Sequence, residues 1–447
     1  MIDGEHYPPV IEGALEELTA AGNEVVGLVL AGGKEKLPAG GLDLLGGLPV
    51  SAESDARVAL DRAVVKHDPE AVMDLSDEPV LDYRRRHELA AIALARGVAY
   101  QGADFRFDPP ARPRLATKPS IAVISTGKRT GKTAVSSFIA RTLVANGNHP
   151  VIVAMGRGGP EEPEVMRGDE MSFDPVALVD LADQGKHAAS DYVEDALLAR
   201  VPTVGCRRCG GGMAGGVAFS NVPAGIEVAG ELEGDIIILE GSGAAIPPAH
   251  ADVTVLVVPS SVPTEYLAGY MGPYRLLLAD FAVVTMCENP FGSPSQVSTL
   301  SSLIRGAYRI GREEPPNEVE VVRTVFRPEP TKPVNGAAVF VATTAPEAVG
   351  DSLRVHLEDE HGCRVVGISH SLSDRAQLEI DLEGMEEADT LLCEIKAAGI
   401  DVAARRALEK GLDVVFMDNV PVGVEGEDPS ATAVRAAELA FERFGNG

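Results

Sequence analysis

The chain has 447 residues, 45% of them hydrophobic and 24% charged, and its formal net charge is −28; that length is too great for one small core and suggests roughly two to four domains. The negative charge argues against nonspecific nucleic-acid binding, which needs a positive field, and any site for a polyanion must be a local basic pocket in an acidic shell. Apolar runs such as 253–258 fall far short of the roughly 18–20 residues that span a bilayer, and Met1-Ile2-Asp3-Gly4-Glu5-His6 has no basic or apolar leader, so no membrane partner and a cytoplasmic location are expected.

In chain order, the first unit opens with helical spacing at 14–21 and an apolar stretch at 24–31 that ends in Gly32-Gly33, as a strand entering a turn does. Residues 71–75 read as a buried strand and 87–96 as an amphipathic helix. Asp108-Pro109-Pro110-Ala111-Arg112-Pro113-Arg114 cannot continue a helix or a central strand, so it is a linker. Beyond Ser120, strand-like runs at 121–125, 151–155, 235–240, 253–258 and 281–286 are separated in part by helical patterns, which predicts a parallel sheet covered on both faces. A second proline-rich seam, Arg327-Pro328-Glu329-Pro330-Thr331-Lys332-Pro333, closes this unit. The last unit repeats the theme on a smaller scale, with strands at 337–342, 364–368, 390–394 and 413–417 and helices at 352–360 and 402–410. The expected fold class is α/β: a central P-loop NTPase-type parallel sheet flanked by two smaller Rossmann-like α/β domains, with boundaries at 1–115, 118–330 and 333–447.

The residues with the clearest chemistry are Ile121-Ala122-Val123-Ile124-Ser125-Thr126-Gly127-Lys128-Arg129-Thr130-Gly131-Lys132-Thr133. An apolar strand runs into a Gly-containing loop, and Lys-Thr opens a helix. Backbone N–H groups of such a loop point inward and cradle phosphates. Thr126, Gly127, Lys128, Arg129, Thr130 and Gly131 form the cradle, Lys132 reaches the β- and γ-phosphates of ATP, and the Thr133 hydroxyl binds Mg²⁺. The pattern departs from the usual one, since Thr126 stands where the first glycine belongs and Gly127 follows it. Glu240 ends the apolar run Ile236-Ile237-Ile238-Leu239, where ligands of open parallel sheets sit, and is a candidate Mg²⁺ ligand. Asp169, after Gly156-Arg157-Gly158-Gly159, is a candidate second metal acid, with Arg157 and Arg167 as candidate phosphate-binding residues.

Thr203-Val204-Gly205-Cys206-Arg207-Arg208-Cys209-Gly210-Gly211-Gly212 contains a single Cys-x-x-Cys, which supplies only two zinc ligands. The reading preferred here is a glycine-rich loop that presents Arg207 and Arg208 to a polyanionic substrate. Arg84, in Asp82-Tyr83-Arg84-Arg85-Arg86-His87, is a candidate phosphate clamp, and Lys396, at the end of a third-unit strand, a candidate cleft residue. The five cysteines are odd in number and scattered, unlike a secreted disulfide framework.

Ile2-Asp3-Gly4-Glu5-His6-Tyr7-Pro8-Pro9, the loop at 125–133, Lys186-His187-Ala188-Ala189-Ser190-Asp191-Tyr192, the segment 205–212 and Val415-Phe416-Met417-Asp418-Asn419 together resemble the cyclic 2,3-diphosphoglycerate synthetase family over the whole chain. Glu240-Gly241-Ser242-Gly243 and the phosphate loop alone are also similar to the dethiobiotin synthetase group. The resemblance implies an ATP- and Mg²⁺-dependent ligase that joins the two phosphates of 2,3-diphosphoglycerate into an intramolecular anhydride and releases ADP and phosphate. Lys186 then joins the candidate substrate residues. The alternatives left open are a ligase or kinase acting on another small acid, and a nucleotide-switch metal-delivery protein. The partners expected are a small polyanionic substrate and, as an open question, a second copy of the chain.

Overall fold

The structure is a computed structural model that describes residues 1–33, 44–171, 175–183, 191–310, 318–395 and 399–446. The N-terminal unit runs α1 (Pro8–Ala20), β1 (Leu28–Val29), β2 (Leu44–Leu45), β3 (Leu48–Ser51), α2 (Ala56–His67), β4 (Ala71–Met73), α3 (Tyr83–Ala95), β5 (Ala99–Gln101) and β6 (Arg106–Phe107). Ile2 bridges Leu30 in parallel and the Met1 carbonyl accepts from Leu75 N at 3.0 Å, so the Met1-Ile2 segment lies between β1 and β4. Asp55 and Asp82 cap α2 and α3 by accepting backbone N–H bonds.

The central unit comprises β7 (Ser120–Ser125), α4 (Lys132–Ala145), β8 (Pro150–Gly156), β9 (Glu164–Arg167), α5 (Pro175–Asp183), α6 (Asp191–Ala199), β10 (Pro202–Cys209), β11 (Phe219–Ser220), α7 (Val222–Glu231), β12 (Ile236–Glu240), β13 (Val253–Pro259), α8 (Glu265–Ala268), α9 (Gly272–Leu278), β14 (Phe281–Thr285) and α10 (Pro294–Arg305). Every residue of β7, β8, β12, β13 and β14 is buried. This is why their sequences read as continuous apolar runs, as strands covered by helices on both faces must.

The chain then enters β15 (Glu320–Pro330), β16 (Ala338–Ala342), α11 (Gly350–His361), β17 (Arg364–Ser369), α12 (Arg375–Asp381), β18 (Thr390–Glu394), α13 (Arg405–Glu409), β19 (Asp413–Gly423) and α14 (Pro429–Gly445). The large sheet has the order β11-β10-β8-β12-β7-β13-β14-β15-β19-β18-β16-β17, with β9 paired to β10. The third unit is therefore joined edge-on to the central sheet. β15 makes the join: residues 320–323 pair with β14 in parallel, and residues 324–330 pair with β19 antiparallel. Part of the seam expected to close the central unit is thus strand. Pro328 and Pro330 are tolerated because that half of β15 has only β19 beside it, so the missing N–H groups interrupt no ladder on the other side.

The register of this join positions the site. β18 and β16 run parallel to β19, and Glu394, the last residue of β18, is level with Met417, which pairs with Pro330. The C-terminal ends of β16 and β18 therefore point back toward the C-terminal ends of β7, β12, β13 and β14. A cavity of about 1130 Å³ lies between the two sets of strand ends.

Candidate active site

The loop between β7 and α4 forms the floor of the cavity. Arg129 (φ 58°) and Gly131 (φ 83°) both take the left-handed conformation, which turns the chain sharply into α4. No side chain caps the first turn of α4, so its N–H groups are left for a ligand. The Ser125 hydroxyl donates to the Gly243 carbonyl at 2.8 Å, and the Thr285 hydroxyl to the Thr130 carbonyl at 2.8 Å. The loop is thus tied to the ends of β12 and β14.

Lys132, 8% exposed, donates from Nζ to Glu240 Oε1 at 2.7 Å, and the Thr133 hydroxyl donates to the same oxygen at 2.8 Å. Burial opposes the ammonium of Lys132, but Glu240 and Asp191 outweigh it and hold its pKa above the usual lysine value. Burial likewise opposes ionisation of Glu240, yet Lys132 and hydrogen bonds from Asp195, Lys132 and Thr133 hold its carboxyl below the usual range. Asp195 behaves in the opposite way. Burial, followed by the neighbouring charge of Glu240, pushes its carboxyl well up. Asp195 Oδ2 and Glu240 Oε2 are both buried without a conventional donor. The two carboxyls are hydrogen-bond partners of each other, and Asp195 Oδ1 accepts from the Ser137 hydroxyl at 3.1 Å.

Three basic residues converge beside this centre. A Cβ built on Gly243 (φ 58°) would stand 2.8 Å from Arg157 Nη2, 3.6 Å from Arg208 Nη2 and 3.7 Å from Lys128 Cγ. Arg208 is anchored through Nη2 to the Ser242 carbonyl at 2.8 Å and through Nη1 to the Gly210 carbonyl at 2.9 Å. Burial, then repulsion from Arg157, lowers its pKa. Two guanidiniums held this close are an arrangement that an anion relieves.

The other sequence candidates lie elsewhere. The glycine-rich loop does not begin until after Cys209, because β10 continues through it. Arg207 and Arg208 are successive strand residues and point to opposite faces. Arg207 packs over the Phe219 ring at 5.6 Å and approaches Glu161 at 3.9 Å, whereas Arg208 reaches Ser242; neither guanidinium is part of the cavity lining itself. Cys206 is buried, its thiol pushed up to about 12 by that burial, whereas Cys209 is exposed. Arg167 and Asp169 pair with each other, Nε–Oδ1 at 3.0 Å and Nη2–Oδ2 at 2.6 Å, and neither lines the cavity. Arg84 spans to Glu265 of the central unit at 3.1 Å and braces the N-terminal unit against it. Lys186 and Lys396 lie outside the described residues.

Sequence reasoning passed over several residues that the structure brings to the site. Asp195 stands four residues after Asp191, on the same face of α6. An acid pair at that spacing resembles a solvated helix face, although the apolar neighbours Val193, Ala196 and Leu197 signal burial. Phe326 of β15 packs over the phosphate loop, since a Cβ on Gly131 would meet its ring at 2.2 Å. Thr344 and Glu394 of the third unit line the same cavity, beside Met417, Asp418 and Asn419, which the sequence marks as part of the family resemblance but assigns no role.

Comparison with known proteins decides the lineage. The description "Cyclic 2,3-diphosphoglycerate synthetase, P-loop domain" matches residues 120–314, the C-terminal domain of that synthetase matches 330–420, and its N-terminal domain matches 1–108. The chain belongs to the cyclic 2,3-diphosphoglycerate synthetase family. A synthetase of that name from Rubrobacter xylanophilus is 47% identical over 432 residues, covering 96% of this chain and 94% of the relative. One from Thermococcus gammatolerans is 45% identical, covering 99% and 98%. One from Methanothermobacter thermautotrophicus is 43% identical, covering 95% and 92%. The match thus extends over all three units. Among the described residues no helix is long and apolar enough to cross a membrane.

Proposed function

We propose that this member of the synthetase family uses ATP to close 2,3-diphosphoglycerate into its cyclic intramolecular phosphoanhydride, releasing ADP and phosphate. The observation that carries this reading is the convergence of Lys128, Arg157 and Arg208 on Gly243, next to the Lys132–Glu240 pair in the phosphate loop. In an acidic protein, this is a basic pocket for a second polyanion adjoining a nucleotide cradle. In our division of the chain, the unit at 118–330 performs the chemistry, the unit at 333–447 roofs the cavity, and the unit at 1–115 braces the central one.

Lys132 and the loop amides stabilise charge on the γ-phosphoryl of ATP. An oxygen of one substrate phosphate attacks the γ-phosphorus and ADP leaves, which creates a mixed anhydride. An oxygen of the neighbouring phosphate then attacks the substrate phosphorus of that anhydride, and inorganic phosphate leaves with the bridging oxygen. Arg157 and Arg208 hold the two phosphates together against their repulsion. No side-chain base is required, because phosphate is its own nucleophile. The Thr133 hydroxyl and the Glu240 carboxylate, adjacent at 2.8 Å, are hard oxygen donors that fit Mg²⁺. When bound, the ion would neutralise charge on the transferred phosphoryl group. The cytoplasmic location and the homodimer belong to the same proposal.

The test is ADP release across a panel of acceptors. It is expected with 2,3-diphosphoglycerate and not with 3-phosphoglycerate or unphosphorylated acids. Equal release with a dicarboxylate or with no acceptor would reject the reading. Arg208→Lys keeps the charge but loses the planar fork. It should raise KM for the diphosphate by about tenfold, the cost of one charge-assisted contact, with KM for ATP changed much less. A defect confined to ATP would remove Arg208 from the acceptor site.

A further inference from the structure

The C-terminal unit has a crevice of its own, and it opens onto the phosphate loop. Its strands stand in the order β19-β18-β16-β17. β16 comes first in the chain, β17 lies on one side of it and β18 on the other, so the order reverses between β16 and β18. Ligands of open parallel sheets bind outside the carboxyl ends of the strands at such a reversal. Here those ends carry Thr343 and Thr344 after β16 and Glu394 at the close of β18. Thr344 and Glu394 both line the cavity shared with Lys132.

Glu394 is 3% exposed. Its Oε1 accepts from the Thr343 hydroxyl at 2.6 Å, Thr344 N at 3.2 Å and Asn419 Nδ2 at 3.3 Å, and its Oε2 accepts from the Thr344 hydroxyl at 2.7 Å. Its hydrogen-bond partners among the described residues are hydroxyls and amides. Oε2, with one donor, keeps acceptor capacity. A buried carboxylate held this way repels a phosphate and receives a hydroxyl. The adjoining wall includes Pro346, Val349 and Leu353 together with His356, and its two arginines are already paired, Arg327 with Glu288 and Arg375 with Asp401. The cavity thus has a cationic end at Lys132 and the phosphate loop and, on the opposing sheet, an end suited to a group with hydroxyl donors.

We infer that the C-terminal unit binds the nucleoside of ATP, with Glu394 accepting a hydrogen bond from a ribose hydroxyl. The inference rests on the nucleotide reading above and adds to it a second domain that contacts the same molecule. It also explains why the two sets of strand ends face each other: one ligand with a polyanionic end and a neutral end spans them.

Calorimetric binding to the full-length protein separates this inference from the reading it rests on. Wild type is titrated with ATP, 2′-deoxy-ATP, 3′-deoxy-ATP and inorganic tripolyphosphate, and the series is repeated with Glu394→Gln. Loss of one ribose hydroxyl should weaken wild-type binding by roughly tenfold or more, as removal of a charge-assisted hydrogen bond does. Glu394→Gln should weaken ATP by a similar factor, show little preference between ATP and the deoxy analogue, and bind tripolyphosphate as wild type does. Equal wild-type affinity for ATP and both deoxy analogues overturns the inference, whatever the variant does. Parallel loss of ATP and tripolyphosphate in the variant also overturns it, by making Glu394 a structural residue. A rise in KM confined to the diphosphate acceptor would instead place the acceptor in this crevice. Failure of wild type to bind any of the nucleotides would reject the nucleotide reading itself.

Discussion

Lys132→Ala will lower ATP-dependent turnover by about 10²–10³-fold, the usual cost of removing one preorganised contact to a developing negative charge. It will also destabilise the protein. Lys132 is the cation that balances Glu240, which is 1% exposed, and the pair is joined at 2.7 Å. Removing one partner of a buried pair leaves an uncompensated charge and costs about 3–5 kcal/mol. A lower melting temperature alone could mimic lost activity, so the second variant is Lys132→Met with Glu240→Gln. Removing both charges should recover most of the lost stability while turnover stays near zero. Recovery of turnover in the double variant, or a single variant that retains more than about a tenth of the wild-type rate, would contradict a phosphate-loop role for Lys132.

Gly131→Ala will be nearly as damaging, for a steric reason. Gly131 sits at φ 83°, and an added Cβ would meet two Phe326 ring atoms at 2.2 and 2.5 Å. The left-handed conformation alone costs roughly 1–2 kcal/mol for a residue with a side chain. The ring must also move, and it belongs to β15, which is hydrogen-bonded to β19 at that level. The loop will therefore shift, and ATP affinity should fall by at least about tenfold, equivalent to ~1.4 kcal/mol. Adding Phe326→Ala should recover part of the loss but not all of it, because the backbone strain remains. Full recovery would show that only the ring contact matters. Wild-type affinity in Gly131→Ala would mean that the loop is not the nucleotide cradle.

The parts of the site that were legible in the sequence are local. The phosphate loop announces itself within thirteen residues, Ile121 to Thr133, as a buried strand, a glycine turn and a Lys-Thr helix start. Glu240 is legible because an acid closing a run of four apolar residues has few other uses. The rest depends on contacts between distant segments. The carbonyl partners of Arg208 lie at Gly210 and Ser242. Only the continuation of β10 through Cys209 turns Arg208 toward Ser242 and Arg207 toward Phe219. Arg167 and Asp169 look like a phosphate binder and a metal acid when read separately, yet they lie two residues apart and pair with each other. The C-terminal strands were legible as strands, but their direction relative to the central sheet was not. It follows from β15 changing partners midway, in a segment whose prolines suggest a break.

The central claim is that both substrate phosphates end in one ring, and ³¹P NMR of the product tests it most directly. The protein is mixed with 2,3-diphosphoglycerate, ATP and Mg²⁺. The two phosphomonoester resonances should disappear together and be replaced by phosphoanhydride resonances of a single molecule, with one ADP and one inorganic phosphate formed for each molecule converted. ATP consumption with the monoester resonances unchanged, or transfer that leaves a third phosphoryl group on the acid, would contradict the account.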